Sequence, residues 1–204
     1  MSSSLTAAPS DAQSSDARLN TIPSLDGAPP LVTVRHLSKA YRGRPALRDF
    51  SMSLPAGRIV GLMGANGCGK TTLLKILAGV MADYEGEVRI AGHAPGLQSK
   101  ALVSFLPDAD FLATSLTPPR AIAQFSRLFA DFDAAKARRL VDFFGLPADR
   151  SIKEMSKGMG EKLRIALVMS RRARVYLLDE PISGVDPAAR EIILDGVLRD
   201  FESD

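Results

Sequence analysis

The chain has 204 residues, of which 46% are hydrophobic and 24% charged, proportions typical of a globular protein. No run approaches the roughly eighteen consecutive apolar residues that a membrane-spanning helix needs. The net charge of +3 is too small to indicate a nucleic-acid partner. The single cysteine cannot form an internal disulfide, which fits a reducing compartment.

The first thirty residues differ in composition from the rest. Residues 1–30 are rich in Ser, Ala, Pro and Asp, and their apolar residues are scattered. They lack the basic start and the apolar stretch of a secretory signal. Such a segment cannot bury enough surface to offset its ordering entropy. We therefore predict a disordered tail over residues 1–30, with a partner-binding motif as the minor alternative, and a folded domain over residues 31–204.

Short apolar runs separated by turn residues dominate the next part of the chain. Pro55–Gly57 and Glu85–Gly86 are predicted turns, and the run after the first of them predicts a buried strand. The predicted strands cover residues 31–37, 47–54, 58–63, 87–90 and 101–106. This half of the chain is therefore predicted to be mostly β-structure.

A glycine-rich loop follows the third predicted strand. Its residues match the pattern G-x-x-x-x-G-K-[ST], and a helix closed by Gly79 is predicted after it. Glycines let backbone N–H groups converge on phosphate oxygens, and the helix N-terminus adds positive potential. The lysine suits the β- and γ-phosphates, and the threonine hydroxyl suits Mg²⁺. The predicted phosphate loop consists of Gly64, Ala65, Asn66, Gly67, Cys68, Gly69, Lys70 and Thr71.

Amphipathic helices are predicted in the second half. Thr117 is the predicted N-cap of the first helix, and Asp133 that of the second. A third begins around residues 157–160 and runs towards Arg172. The residues predicted to face inward are Ile122, Phe125, Leu128, Phe129, Ala137, Leu140, Val141 and Phe144.

Two adjacent carboxylates follow a further apolar run, residues 175–178. Because sites form at the carboxyl ends of parallel strands, Asp179 and Glu180 are expected beside the phosphate loop. One carboxylate suits the Mg²⁺ shell, and the other suits a water aligned for in-line attack. A paired carboxylate alone is more often a surface turn.

Four segments together resemble the ATP-binding subunit of an ABC transporter over residues 31–204. They are the phosphate loop, Met155–Met159, Leu177–Pro181 and Ser183–Pro187. The variant Ser-Lys-Gly-Met at 156–159 is similar to a bacterial exporter-like branch. The resemblance implies an α/β fold, a P-loop NTPase core of ABC type. It would carry an antiparallel β subdomain and an α-helical subdomain inserted at residues 106–160.

The resemblance also implies residue roles. Tyr41 would stack on adenine, although a half-buried tyrosine at a strand end is the alternative. Ser156 and Gly158 would contact the γ-phosphate of ATP on the opposite subunit. Asp186 would couple the two sites, unless it only caps the helix after it. The other implied roles are ATP binding for the phosphate loop and Thr72, catalysis for Lys70 and Glu180, and Mg²⁺ binding for Thr71, Asp179 and Asp108. A plain turn explains Asp108 about as well.

The implied function is that of a transporter ATPase. The chain would bind and hydrolyse Mg-ATP in a head-to-tail dimer, as a homodimer or with a paired ATPase subunit. It would drive export through separate transmembrane permease subunits, from the cytoplasm at the inner face of the plasma membrane, with no nucleic acid involved. The chain ends at Asp204, before the strand and histidine that the family places later, so we expect missing C-terminal strands. A regulatory or hydrolysis-deficient ABC subunit, or a soluble ABC ATPase, is the alternative.

Overall fold

The chain divides in sequence into two units, the first ending at Val103 and the second beginning at Ser104. The computed structural model describes residues 20–21, 29–181 and 191. Asp186 and most of the predicted tail lie outside these residues, and the predicted domain boundaries stay a prediction. The α/β fold class expected from the sequence is confirmed.

The first unit is built on a four-stranded sheet. Its strands are β1 (Asn20–Thr21), β2 (Val32–Tyr41), β3 (Arg44–Leu54) and β4 (Glu85–Ile90), in the order β1-β3-β2-β4. Strand β2 is antiparallel to both β3 and β4, whereas β1 is parallel to β3. The sheet is therefore largely antiparallel, as the resemblance implies for one subdomain.

An irregularity in β2 decides which of its side chains face inward. The pairing with β3 shifts between Val34 and Leu37, and His36 has a φ of 50°. An extra residue of this kind changes the phase of the side-chain alternation. Val34 and Leu37 are fully buried, and Lys39 is buried two residues further on. The bulge therefore turns a lysine towards the interior.

Helix α1 (Lys70–Leu77) follows the glycine-rich loop and contacts β3. Its apolar side chains Leu73, Ile76 and Leu77 are buried, which gives the helix its packed face. Gly79 ends the helix with a φ of 68°, a conformation that glycine adopts without strain. The predicted helix and its stop are both confirmed.

The strand predicted immediately before the loop does not form. Residues 58–63 have no regular secondary structure, and Ile59, Val60 and Met63 are 57%, 38% and 90% exposed. A strand has no hydrogen bonds of its own and needs a neighbour to pair with. Within the described residues, no strand pairs with this segment. The prediction of a buried strand is wrong for this structure.

Two element boundaries also differ from the prediction. Glu85 and Gly86 begin strand β4 instead of forming a turn, and Ser38 pairs with Glu85. Residues 101–102 end a short helix, α2 (Leu97–Leu102), so that strand β5 covers only Val103–Leu106. Ala101 and Leu102 are apolar enough for a helix or a strand, and the pattern of hydrophobic residues does not separate the two. Glu85 and Gly86 have the composition of a turn, yet pairing with β2 extends the strand through them.

The second unit pairs β5 with β6 (Val175–Leu178) and adds three longer helices. These are α3 (Pro118–Leu128), α4 (Ala134–Phe143) and α5 (Lys157–Met169), which contact one another. Their shared core includes Leu106, Ile122, Phe125, Val141, Leu163 and Leu167. None of the helices in the described part of the chain is long and apolar enough to cross a bilayer.

One of the two predicted helix N-caps is observed in the structure. Asp133 accepts a hydrogen bond from the Lys136 backbone N–H at 2.9 Å, which confirms it as the N-cap of α4. Thr117 precedes α3, but its side chain makes no capping hydrogen bond. Because proline at the first helical position has no N–H, fewer donors there need a cap. Leu128, predicted to face inward, is the last residue of α3 and is 63% exposed, so that prediction is wrong.

Candidate functional site

The glycine-rich loop has a backbone that only glycines adopt easily. Gly67 and Gly69 have φ values of 79° and 101°, both in the left-handed region. A Cβ on Gly69 would lie 2.4 Å from the Ala46 carbonyl oxygen, whereas a Cβ on Gly67 would meet nothing within 4 Å. The absence of a side chain at Gly69 therefore allows the loop to lie directly against β3, whereas Gly67 faces open space.

Lys70 lies across the loop that precedes it. Its ammonium donates hydrogen bonds to the carbonyl oxygens of Gly64, at 2.9 Å, and Ala65, at 3.1 Å. The same nitrogen lies 3.8 Å from the Cys68 Sγ, and Cys68 is buried. The lysine is thereby held above the residues that the sequence assigns to phosphate binding.

The loop fits a polyphosphate in charge and in space. Residues 64–67 are exposed, and Gly69 provides no side-chain cap for α1. The first turn of a helix has backbone N–H groups with no intrahelical partner, and its dipole favours an anion. The Lys70 ammonium adds a full positive charge at the same place. This arrangement can bind a phosphate chain through backbone donors and one cation.

Tyr41 lies at the end of β2 and is 44% exposed. Its hydroxyl is 3.4 Å from the Thr72 Oγ1 and donates to the Met81 Sδ, also at 3.4 Å. Thr72 is buried within α1, and Thr71 is half-buried beside it. The aromatic ring is thus linked to the helix that carries Lys70, with part of its surface open to a ligand.

In the second unit, three predicted site residues line one cleft of about 390 Å³. Asp108 lies shortly after β5, Ser156 precedes α5, and Glu180 follows β6. Lys157 contributes a cation to the same cleft. The structure therefore brings together side chains that are separated by more than seventy positions in the sequence.

The two carboxylates after β6 differ in their surroundings. Asp179 is buried, and its backbone N–H donates to the Leu106 carbonyl oxygen at 2.9 Å, which continues the sheet by one residue. Glu180 is exposed and has a φ of 50°. A non-glycine residue in this conformation is strained, and such strain tends to occur at functional sites. The turn directs the two side chains differently.

Ser156 has a structural role that was not predicted from the sequence. Its hydroxyl accepts a hydrogen bond from the Met159 backbone N–H at 3.2 Å, so it caps α5. Gly158 lies in the first turn of the same helix. Serine at this position therefore stabilises the helix start, and the hydroxyl and the bare backbone also suit an anion.

The cleft also contains a charged cluster that was not predicted from the sequence. Arg164 makes ion pairs with Glu161 and Asp110, and the side chains of Arg164 and Glu161 are 11% and 9% exposed. Burial raises the pKa of Glu161, and the nearby Arg164 only partly opposes that rise. The signal available in the sequence was a Glu and an Arg three residues apart on one helix face.

Magnesium would depend on the phosphates as well as on the protein. In the part of the chain that the structure describes, no group of three or more His, Cys, Asp or Glu residues is placed to bind a metal. Mg²⁺ in nucleotide sites usually takes one or two protein oxygens and completes its shell with phosphates and water. The Thr71 hydroxyl of the first unit and the Asp108 and Asp179 carboxylates of the second are each chemically suitable oxygen donors, and their assignment to Mg²⁺ stays a prediction.

Comparison with known proteins agrees with this arrangement. The sequence is 35% identical over 179 residues to the aliphatic sulfonates import ATP-binding protein SsuB 1 of Xanthomonas axonopodis pv. citri, covering 79% of the chain and 66% of that protein. It is 32% identical over 176 residues to the Nod factor export ATP-binding protein I of Ralstonia nicotianae, covering 82% and 54%. The chain thus spans about half to two thirds of the length of these relatives.

The fold is also found among solved structures. A putative ABC transporter ATP-binding protein from Pyrococcus furiosus superposes with a TM-score of 0.74 at 23% identity, covering 84% of this chain and 86% of that one. The sequence model of the family described as ABC transporter matches residues 47–183, which include the phosphate loop, the cleft and both carboxylates. On these grounds the chain belongs to the ABC transporter family.

Proposed function

We propose that the chain is an ATP-binding subunit of an ABC transporter that binds and hydrolyses Mg-ATP. The observation that carries this proposal is the loop at Gly64–Thr71, with two left-handed glycines, a helix N-terminus and the Lys70 ammonium above them. That arrangement is complementary to a chain of phosphates. The exposed ring of Tyr41 adds an aromatic surface for the adenine base.

ATP binding is proposed to change the hydrogen-bond acceptors of the Lys70 ammonium. The ammonium leaves the carbonyl oxygens of Gly64 and Ala65 and donates to the β- and γ-phosphates instead. Phosphate oxygens carry negative charge, so the new hydrogen bonds are stronger than those to neutral carbonyls. If Mg²⁺ accompanies the nucleotide, the Thr71 hydroxyl and the Asp179 carboxylate would be its proposed protein ligands, with Asp108 as a further oxygen donor. The ion would supply positive charge to offset the negative charge on the phosphates.

Glu180 is the residue proposed to act on the attacking water. An exposed carboxylate can accept a hydrogen bond from water and orient its oxygen for in-line attack. Lys70 stabilises the charge on the phosphoryl group as the bond breaks.

Two subunits are proposed to work as a head-to-tail pair, either a homodimer or two related ATPase subunits. Ser156 and Gly158, at the start of α5, would bind the γ-phosphate of ATP held by the other subunit. Asp186, outside the described residues, would lie between the two sites. ATP would then stabilise the closed pair and hydrolysis would release it.

The pair is further proposed to drive export through separate membrane subunits at the inner face of the plasma membrane. The exporter-like signature with Lys157 after Ser156 supports this direction, and one relative is named as an export protein. Another relative is named for import, so the direction rests on the signature. Reconstitution in vesicles with a membrane subunit that co-purifies with the chain, with transport measured in each direction, tests it.

Nucleotide binding is tested with Lys70→Ala. We expect the variant to lose ATP binding by at least about tenfold, because a charge-assisted hydrogen bond contributes roughly 1.5–3 kcal/mol. Lys75→Ala, on the same helix but in its last turn, serves as the matched control and should bind normally. Isothermal titration calorimetry measures both. If Lys70→Ala binds ATP as tightly as the parent chain, the site assignment fails.

Turnover is tested separately with Glu180→Gln. We expect ATP to bind but not to be hydrolysed, and ATP-bound dimers to accumulate in size-exclusion chromatography. Steady-state phosphate release by the unaltered chain separates this function from a regulatory subunit that binds ATP without hydrolysing it. Release no faster than that of Glu180→Gln would favour the regulatory alternative.

A further inference from the structure

Lys39 is a buried lysine close to the proposed base site. Its side chain is 8% exposed, and the bulge in β2 turns it inward. A buried ammonium is costly unless a charge or a hydrogen-bond acceptor compensates it. The Asp83 Oδ2 provides that partner at 2.6 Å, while the Asp83 side chain itself is 96% exposed. One end of the ion pair is therefore fixed in the interior and the other lies in water.

The Lys39 ammonium also lies over the ring of Tyr41. The distance from its nitrogen to the ring centroid is 5.2 Å, within the range of a cation–π interaction. The Tyr41 hydroxyl is held at the same time by Thr72 and Met81. The ring is consequently fixed at its face by Lys39 and at its tip by residues of α1 and the segment after it.

We infer that Lys39 is a positioning residue for the purine base of the nucleotide, acting through Tyr41. This inference rests on the proposed binding of ATP. A cation on one face of the ring leaves the opposite face for the base and draws π-electron density towards itself. The opposite face is then less repulsive to an electron-rich purine. Lys39 thereby sets both the orientation of the ring and its affinity for the base.

Base binding and phosphate binding depend on different residues of the proposed site. Lys39 acts on a ring that would contact only the base, whereas Lys70 and the loop would contact only the phosphates. Inorganic tripolyphosphate carries the phosphates without the base. Loss of the Lys39 charge should therefore weaken ATP binding and leave tripolyphosphate binding unchanged. A purely structural role of Lys39 would affect both ligands alike.

The experiment uses Lys39→Met, which keeps the length of the stem and removes the charge. Calorimetric titration should show ATP binding weakened roughly three- to tenfold, with tripolyphosphate binding within about twofold of the parent. In a Tyr41→Leu background, Lys39→Met should cause no further loss of ATP affinity, because Lys39 acts on the base only through the Tyr41 ring. Equal weakening of both ligands, no weakening of ATP, or additive losses would each overturn the inference.

If Lys39→Met does not fold, a second variant tests the same inference. Asp83→Asn leaves the buried lysine in place and removes only the exposed anion that orients it. ATP binding should then weaken roughly threefold, beyond the twofold that counts as unchanged, while tripolyphosphate binding stays within that limit. If this variant binds ATP as tightly as the parent chain, the proposed positioning role of Lys39 is wrong. Failure of the unaltered chain to bind either ligand would instead refute the proposed function, and the two failures are thus distinguishable.

Discussion

The two left-handed glycines of the loop differ in what a side chain would meet, and this difference predicts different stabilities. Gly67→Ala places a methyl group in open space, whereas Gly69→Ala places it 2.4 Å from the Ala46 carbonyl oxygen and 2.9 Å from the Leu47 Cδ2. Both substitutions pay for the left-handed conformation, about 1–2 kcal/mol. Each also recovers about 0.4–1 kcal/mol because alanine restricts the unfolded chain more than glycine does. Only Gly69→Ala adds a steric clash.

The clash sets the expected size of the difference. Strand β3 and the fully buried Leu47 would have to move to accept the new methyl group, and overpacking of this kind costs about 1–3 kcal/mol. We therefore expect Gly67→Ala to lose about 1 kcal/mol and Gly69→Ala about 3 kcal/mol. For a chain of this size each kcal/mol lowers Tm by roughly 2–4 °C. Gly69→Ala should thus melt several degrees below Gly67→Ala.

Thermal unfolding followed by circular dichroism, together with urea titration, measures the two variants against the parent. Gly57→Ala is the matched control, since its glycine has a φ of 67° in open space and lies outside the loop. It should behave like Gly67→Ala. If Gly69→Ala unfolds at the same temperature as Gly67→Ala, the close contact between the loop and β3 does not exist in solution and the steric reasoning is refuted.

Three further predictions concern the second unit. Asp133→Ala should lower stability by about 1 kcal/mol through loss of the α4 cap, whereas Thr117→Ala should be nearly neutral because Thr117 makes no capping bond; thermal melts compare them. Leu163→Ala should cost about 2–5 kcal/mol and Leu128→Ala under about 0.5, because the first is fully buried and the second exposed; urea titration measures both. Since burial raises the pKa of Glu161, the folded chain binds its proton more tightly, and stability should fall as pH rises above the ordinary value of 4.5; Glu161→Gln should remove that fall in urea titrations repeated across pH.

The sequence predicts those elements whose signals are local. Helix α1 follows the glycine-rich loop and α4 begins after its cap Asp133, because the residues that mark these helix starts lie within a few positions of them. Helix α5 begins within the range predicted from its hydrophobic periodicity. The positions of Lys70 and Glu180 relative to their own elements were predictable for the same reason. Both lie at an element end that the apolar pattern marks clearly.

Features that depend on distant partners were not predictable. Residues 58–63 have the composition of a buried strand, yet composition does not provide the neighbouring strand that would pair with them. The burial of Lys39 depends on a bulge at His36 and on Asp83, which is 44 residues away. Regular alternation would place Lys39 on the face opposite to Val34, and the extra residue in β2 reverses that assignment.

The conformation of Lys70 links local structure to function. Its ammonium makes two hydrogen bonds to carbonyl oxygens of its own loop, so the loop keeps a defined shape through contacts that ATP must replace. Replacing neutral acceptors by phosphate oxygens favours binding, because charge-assisted hydrogen bonds are roughly twice as strong. Opening the loop costs part of that gain. The contribution of Lys70 to ATP affinity is therefore the difference between two sets of hydrogen bonds, and a variant that weakens the first set alone should bind ATP more tightly.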